Sequence, residues 1–156
     1  MIRKRRSNSL SPFVIIIISI GFLLILIGSF NFLFSPSYKP KKVVAAFYTH
    51  EQRGNFSNSW ELLHPLMKER WSKTEFMTDR LHVFVGHFGT DTFQFSIGES
   101  RKIKDWKMTE EATPVDEAYK FNVIQTYRGK YGKFSFVQEV YVVKEEDEWK
   151  ILWDYN

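Results

Sequence analysis

An uncharged apolar run near the start of the chain constrains its fold more than any other feature. The run extends from Phe13 to Phe34 and contains no Asp, Glu, Lys or Arg. A helix of this length covers about 33 Å, enough to cross a hydrocarbon core roughly 30 Å thick. Pro12 suits the first turn of such a helix, and Pro36 stops it. The sequence therefore predicts one transmembrane helix over residues 13–34.

The charges around this run predict its orientation. Arg3, Lys4, Arg5 and Arg6 precede the span closely, whereas the lysines beyond it are fewer and more widely spaced. Dense positive charge favours the cytoplasmic side of a membrane. We therefore expect residues 1–12 to form a cytoplasmic tail and the C-terminal part of the chain to lie outside the cytoplasm, at the cell membrane.

A cleavable signal peptide is the alternative interpretation of the same run. Signal peptides usually have an apolar core of about 7–15 residues that ends at an Ala-x-Ala-like site. This run is longer, and the nearest motif of small residues is Ser35-Pro36-Ser37. Its length favours an uncleaved signal anchor.

The remainder of the chain has the size and charge of one neutral domain. We expect a short linker over residues 35–39 and one domain of 117 residues over 40–156. The chain has 22 basic and 18 acidic residues. Removing the four cations of the tail leaves 18 basic and 18 acidic residues from Tyr38 onward. This balance gives no net field to attract nucleic acid. The lipid bilayer is an expected partner, and nucleic acid is not.

Helical signals come first in this domain. The predicted helices extend from Lys41 to Arg53, from Phe56 to a break before Pro65, and from Ser72 to about Leu81. Apolar spacing and the Gly54-Asn55 stop support the first of these.

The third helix has the strongest local signal. Ser72 and Glu75 form an S-x-x-E capping box, and Trp71 and Phe76 have the spacing of a hydrophobic staple.

From His82 onward the apolar period changes from helical to two, which predicts strands. The predicted strands cover Phe93 to Ile97, a bulged run through Ile103 and Met108, Glu117 to Arg128, Lys133 to Val143, and Trp149 to Tyr155. Helices followed by antiparallel strands indicate the α+β class. We expect about three helices packed on one face of a curved antiparallel sheet.

Three stretches resemble the nuclear-transport-factor-2-like superfamily of cone-shaped α+β domains. They are the run from Arg53 to Pro65, the run from Ser72 to Phe76, and Glu148 to Ile151. The set is similar to small membrane-anchored extracytoplasmic domains of Gram-positive bacteria and to the N-terminal domain of some penicillin-binding proteins. The resemblance implies a cone from Lys39 to Asn156. That superfamily includes dehydratases, isomerases, ligand binders and scaffolds, so it implies no single activity.

Two glutamines are the main candidates for a ligand site. Gln125 and Gln138 lie on strand faces that otherwise carry Phe, Tyr and Val. With Tyr119 and Tyr127 they could line a pocket and orient a ligand. The alternative is a buried pair of amides that satisfy each other, or amides at the mouth of a pocket that bind water.

The histidines give weaker signals. His82, His87 and Asp91 could be drawn as a metal site, but a five-residue spacing fits neither one face of an α-helix nor one face of a strand. His64 and Glu61 could form an acid–base couple, although a structural role at a helix break is the favoured interpretation. The chain contains no cysteine, which excludes thiolate chemistry. We expect no metal and no cofactor.

The sequence favours a single-pass membrane protein with a non-catalytic binding domain in the cell envelope. Its expected partner is another envelope protein or a wall polymer. A small-ligand-binding or enzymatic cone is one alternative, and a scaffold subunit of a secretion or conjugation apparatus is another.

Overall fold

The computed structural model describes residues 12–33 and 36–156 of the chain. The expected topology signal of Arg3, Lys4, Arg5 and Arg6 lies outside the described residues. The chain divides into two compact units, with the boundary between Tyr38 and Lys39.

The first unit contains one helix, α1, over Pro12–Leu33. Within it, Phe13–Phe30 has a mean hydropathy of 3.0. Among the described residues this is the one helix long and apolar enough to cross a membrane. Within Phe13–Phe30 the apolar side chains are exposed on every side.

The second unit is an α+β domain. Its helices are α2 (Tyr38–Gln52), α3 (Phe56–Glu61), α4 (Pro65–Arg70) and α5 (Lys73–Leu81), followed by a π-helix (His82–Phe88). Its strands are β1 (Gln94–Trp106), β2 (Val115–Gly129), β3 (Gly132–Glu145) and β4 (Glu148–Leu152). The α+β class is thus confirmed. After the expected break at Pro65 the chain forms a further helix, α4, before α5 begins.

The helix boundaries follow local chemistry. Ser72 Oγ accepts a hydrogen bond from the Glu75 amide, and the Glu75 carboxylate accepts one from the Ser72 amide, so the predicted capping box is confirmed. The rings of Trp71 and Phe76 lie 6.4 Å apart, as a hydrophobic staple requires. Gly54, at a φ of 69°, provides the left-handed stop after α2.

The expected change to strand at His82 is wrong. The helix continues through His82–Phe88 with π geometry and ends at Gly89, which has a φ of 63°. Phe84 and Phe88 point from this segment towards the Tyr127 ring, at 5.8 Å and 4.9 Å. Packing against the sheet therefore selects a conformation that the sequence period does not indicate.

The four strands form an open antiparallel sheet in the order of the chain, β1-β2-β3-β4. Lys130 and Tyr131 connect β2 to β3, and Glu146 and Asp147 connect β3 to β4. The strand expected to end at Ile97 continues through Gly98, contrary to expectation. Gly98 lies inside β1, where the register with β2 shifts between Ile97 and Ser100. This bulge precedes the expected one, and Asp105, at a φ of 51°, adds a second irregularity before Trp106.

Helices and sheet share one core. The inner sheet face carries Phe121, Val123 and Val140, each fully buried. From α2, Phe47 packs edge-on to Trp153 and Tyr48 packs on Phe95. A parallel bridge between Leu63 and Ile151 fixes the loop after α3 against β4 through two backbone hydrogen bonds of 2.9 Å.

The other sheet face is covered only in part within the described chain. Near the C-terminus, Trp106 stacks on Tyr141 with ring centroids 4.3 Å apart. Towards the β2–β3 turn, Ile124 and Val137 are paired across the strands and are 45% and 59% exposed.

Candidate functional site

A hydrogen-bonded network of amides and tyrosines lies under α2 on the inner face of the sheet. Gln125 Nε2 donates to Gln138 Oε1 at 3.1 Å. The Tyr127 hydroxyl donates to Gln125 Oε1 at 2.8 Å, and the Tyr48 hydroxyl donates to Gln138 Oε1 at 2.8 Å. The two glutamines thus satisfy each other and two tyrosines, which is the structural alternative that the sequence left open.

Burial fixes the chemical state of this network. Gln125, Tyr48 and Tyr127 are each at most 3% exposed. Burial raises the pKa of Tyr48 and Tyr127 well above the ordinary value of 10.0, and the charge of Arg80 opposes that rise in both. Both hydroxyls are therefore protonated at neutral pH and act as donors. They can orient a neighbouring acceptor but do not exchange protons near neutrality.

Tyr119 does not join the network. It lies six residues before Gln125 on β2, about 20 Å away along the strand. Its ring packs edge-on to Trp149 at 5.6 Å. Burial, followed by a hydrogen bond with Glu117, raises the pKa of Tyr119 to about 12. The structure therefore brings together three of the four residues expected in a pocket, namely Gln125, Gln138 and Tyr127.

A buried ion pair lies beside the network and was missed by sequence reasoning. Glu51 is 2% exposed; its carboxylate accepts from Ser59 Oγ at 2.5 Å and lies 3.3 Å from Arg80 Nε. Desolvation by burial raises the pKa of Glu51, while Arg80 and then Ser59 lower it. The sequence does indicate that Glu51 is buried, because Glu51 follows Phe47 by four residues and so lies on the apolar face of α2.

Aromatic rings surround the Arg80 guanidinium. Its centre lies 5.0 Å from the Trp153 ring, 5.1 Å from the Phe76 ring and 5.9 Å from the Phe84 ring. These are cation–π distances. Such rings exclude water, so the attraction between the Arg80 guanidinium and the Glu51 carboxylate is weakly screened. Trp153 Nε1 is buried and has no hydrogen-bond partner within the described part of the chain.

His64 has a structural position. Its Nδ1 accepts from the Leu66 amide at 3.2 Å and so caps α4, while Nε2 lies 3.0 Å from Glu145 Oε2. Because Nδ1 accepts, the ring proton lies on Nε2 and is donated to Glu145. Glu61, the partner considered from sequence, instead pairs with Lys73 at 2.7 Å.

His82 and His87 are brought together, contrary to the spacing argument from sequence. Their Nε2 atoms lie 2.9 Å apart. The five-residue gap fits no α-helix face, but a π-helix stacks residues i and i+5. Asp91 does not join them and instead lines a surface cleft with Gln52 and Arg128. Across the described residues, no group of three or more His, Cys, Asp or Glu side chains could hold a metal ion.

Replacing Gln125 with leucine tests whether the network serves stability. The Tyr127 hydroxyl would then be buried without an acceptor, and we expect the free energy of unfolding to fall by about 2 kcal/mol. The measurement is urea unfolding of the full chain in detergent micelles, followed by tryptophan fluorescence. Combining Gln125→Leu with Tyr127→Phe removes the orphaned hydroxyl and should recover about 1 kcal/mol. A loss below about 0.5 kcal/mol for Gln125→Leu would contradict a structural role.

No known protein-family model matches the chain, and a comparison with curated proteins finds no similar sequence. Two features of the described residues bear on function: an apolar helix before the domain, and an interior whose amides and tyrosine hydroxyls largely bind each other.

Proposed function

We propose that the chain is a single-pass membrane protein whose C-terminal domain lies outside the cytoplasm and binds another protein of the cell envelope without catalysing a reaction. The observation that carries this proposal is α1. Its segment Phe13–Phe30 has a mean hydropathy of 3.0 and no buried residue. A helix of this kind is stable in lipid, whereas in water it would expose every apolar side chain.

The orientation in this proposal depends on the sequence before α1. Arg3, Lys4, Arg5 and Arg6 favour retention of the N-terminus in the cytoplasm. The domain that follows would then be exported and held close to the bilayer. In this proposal the α+β domain is a cone of the nuclear-transport-factor-2-like type.

Binding, as opposed to catalysis, is supported by the state of the interior polar groups. The amides of Gln125 and Gln138 and the hydroxyls of Tyr48 and Tyr127 are engaged with each other. Glu51 is engaged with Arg80 and Ser59. A protein partner is favoured over a wall polymer by the exposed apolar pair Ile124 and Val137, since protein interfaces bury such side chains.

Single-cysteine labelling tests the topology, because the chain has no cysteine of its own. Tyr131 is 73% exposed at the β2–β3 turn, and Ser7 lies in the tail. We expect a membrane-impermeant maleimide added to intact spheroplasts to label Tyr131→Cys and not Ser7→Cys. After permeabilisation both should be labelled. The unmodified chain is the control and should take up no label.

Two outcomes would contradict the topology. Labelling of Ser7→Cys in intact spheroplasts would reverse the orientation. Release of Tyr131→Cys from washed membranes, with loss of the Ser7→Cys label from the mature protein, would indicate a cleaved signal peptide.

The same cysteine-free chain tests for a protein partner. A thiol-reactive photocrosslinker on Val137→Cys should give an adduct of defined mass in native membranes. The matched control is Asp147→Cys, a fully exposed position in the β3–β4 turn. An adduct that is no stronger from position 137 than from position 147 would count against binding through the exposed pair.

A further inference from the structure

The π-helix creates a pair of histidines that an α-helix could not form. In an α-helix, five residues turn through about 500°, so side chains at i and i+5 point about 140° apart. In the π-helix His82–Phe88 the backbone hydrogen bonds join residues five apart. His82 and His87 consequently lie on the same side of the helix, and both are exposed. π-Helical turns are rare and occur frequently at functional sites.

The geometry of the pair fits a shared ligand. The two Nε2 atoms are 2.9 Å apart, and the rings are nearly perpendicular, at 88°, with centroids 4.5 Å apart. In the absence of an ion, one ring donates an N–H to the other at this distance. Two imidazoles bound to one metal ion at 2.0–2.1 Å, with an angle of 90° between them, also have nitrogens about 2.9 Å apart. A tetrahedral angle would require about 3.3 Å.

We propose that His82 and His87 form a surface site for a divalent transition-metal ion that prefers tetragonal geometry. The ion takes the place of the shared proton: the donor ring changes to the tautomer protonated on Nδ1, so that both Nε2 lone pairs face the metal. Imidazole ligands in this geometry suit Cu²⁺ and Ni²⁺, with Cu²⁺ bound more tightly than Ni²⁺ or Zn²⁺.

The site is incomplete within the described chain, since no third His, Cys, Asp or Glu joins the pair there. Water or a group from a bound partner would fill the remaining positions. The inference is independent of membrane anchoring and of the proposed partner.

The protein holds the pair on a fixed segment. Phe84 and Phe88 anchor the π-helix to Tyr127. Lys130 Nζ donates to the Gly86 carbonyl at 2.8 Å, which secures the same turn from the β2–β3 connection. The Lys130 ammonium is thereby engaged, although it remains a nearby positive charge that weakens cation binding. A metal bound across the turn would add a second link between its two ends.

The test uses Cu²⁺ and the full chain in detergent micelles, purified without a polyhistidine tag. We expect one Cu²⁺ per chain by isothermal titration and, in the electron paramagnetic resonance spectrum, hyperfine coupling to two nitrogen ligands. Zn²⁺ should bind at least tenfold more weakly. The variants His82→Gln and His87→Gln should each lower the affinity for Cu²⁺ at least tenfold. His50→Gln is the matched control and should leave it unchanged.

Cu²⁺ should also raise the melting temperature of the chain, and this rise should be absent from both variants. Far-ultraviolet circular dichroism of each variant, matched to the parent chain, establishes that the loss concerns the site and not the fold. The proposal is overturned if the parent chain takes up no Cu²⁺ at 100 µM. It is equally overturned if either single variant retains the parental affinity for Cu²⁺. The same holds if His50→Gln loses as much affinity for Cu²⁺ as the two site variants do.

Discussion

Replacing Arg80 with methionine is expected to lower the free energy of unfolding by about 3 kcal/mol at neutral pH, because the buried Glu51 carboxylate would lose its charged partner. Glu51 is 2% exposed and, among the described residues, would retain the hydrogen bond from Ser59 alone. Methionine preserves much of the apolar contact with the surrounding rings. The loss of stability therefore measures the effect of removing the positive charge. The measurement is chemical unfolding of the full chain in micelles.

The loss of stability that Arg80→Met causes, called the deficit below, should increase as the pH rises. Burial already raises the pKa of Glu51 above its ordinary value of 4.5, and Arg80 is the largest influence that lowers it. Removing Arg80 raises that pKa further. A group whose pKa is higher in the folded than in the unfolded state contributes stability that is fully present in acid and is lost as the pH rises through its folded-state pKa. The deficit should therefore be smallest near pH 4 and grow towards neutrality.

Two controls separate the ion pair from general loss of packing. The double variant Arg80→Met with Glu51→Leu removes both charges and should recover about half of the deficit or more. Arg53→Met removes an exposed arginine after α2 and should change stability by less than about 0.5 kcal/mol. A deficit for Arg80→Met that is small or independent of pH would show that Glu51 does not depend on Arg80.

Gly129→Ala is expected to destabilise the domain by about 3 kcal/mol, the upper end of overpacking effects. A Cβ atom at this position would lie 1.8 Å from the Phe88 carbonyl oxygen and 2.9 Å from its carbon. These are backbone atoms, so no side-chain rotation relieves the clash. The same carbonyl accepts a hydrogen bond from the Lys130 amide at 3.0 Å, and that bond would also be strained. Urea unfolding measures the loss.

Gly86→Ala is the matched control for this clash. At Gly86, in the π-helix, the nearest atom to an added Cβ is a His82 side-chain nitrogen at 3.4 Å, an ordinary contact. We expect no loss of stability there, since alanine favours a helical backbone over glycine. Equal effects of the two alanine substitutions would contradict a close approach of β2 to the π-helix.

The features that could be predicted from sequence depend on interactions between residues that are close together in the chain. Ser72, Glu75, Trp71 and Phe76 determine the start of α5 among themselves, within one helical turn. The alternation along β2 and β3 likewise reports which side chains face the core. Such patterns also located Gln125 and Gln138 on the inner face, although not their partner Tyr48.

The features that could not be predicted depend on contacts between distant segments. The π-helix is stabilised where Phe84 and Phe88 meet Tyr127, about 40 residues later, and no local period records that contact. Arg80 and Glu51 are separated by α3 and α4, so their pairing follows from how those helices turn. The bulge in β1 reflects its pairing with β2 and not its own alternation.

The bridge between Leu63 and Ile151 has a consequence for association between copies of the chain. An open sheet presents unpaired backbone groups along its outermost strands, which can template edge-to-edge aggregation. On β4 the bridge engages the amide and carbonyl of Ile151. On β1 the register shift and the cations Arg101, Lys102 and Lys104 oppose the docking of another strand. One rim of the sheet is thus partly closed by the chain's own backbone, and the other is protected by irregularity and charge.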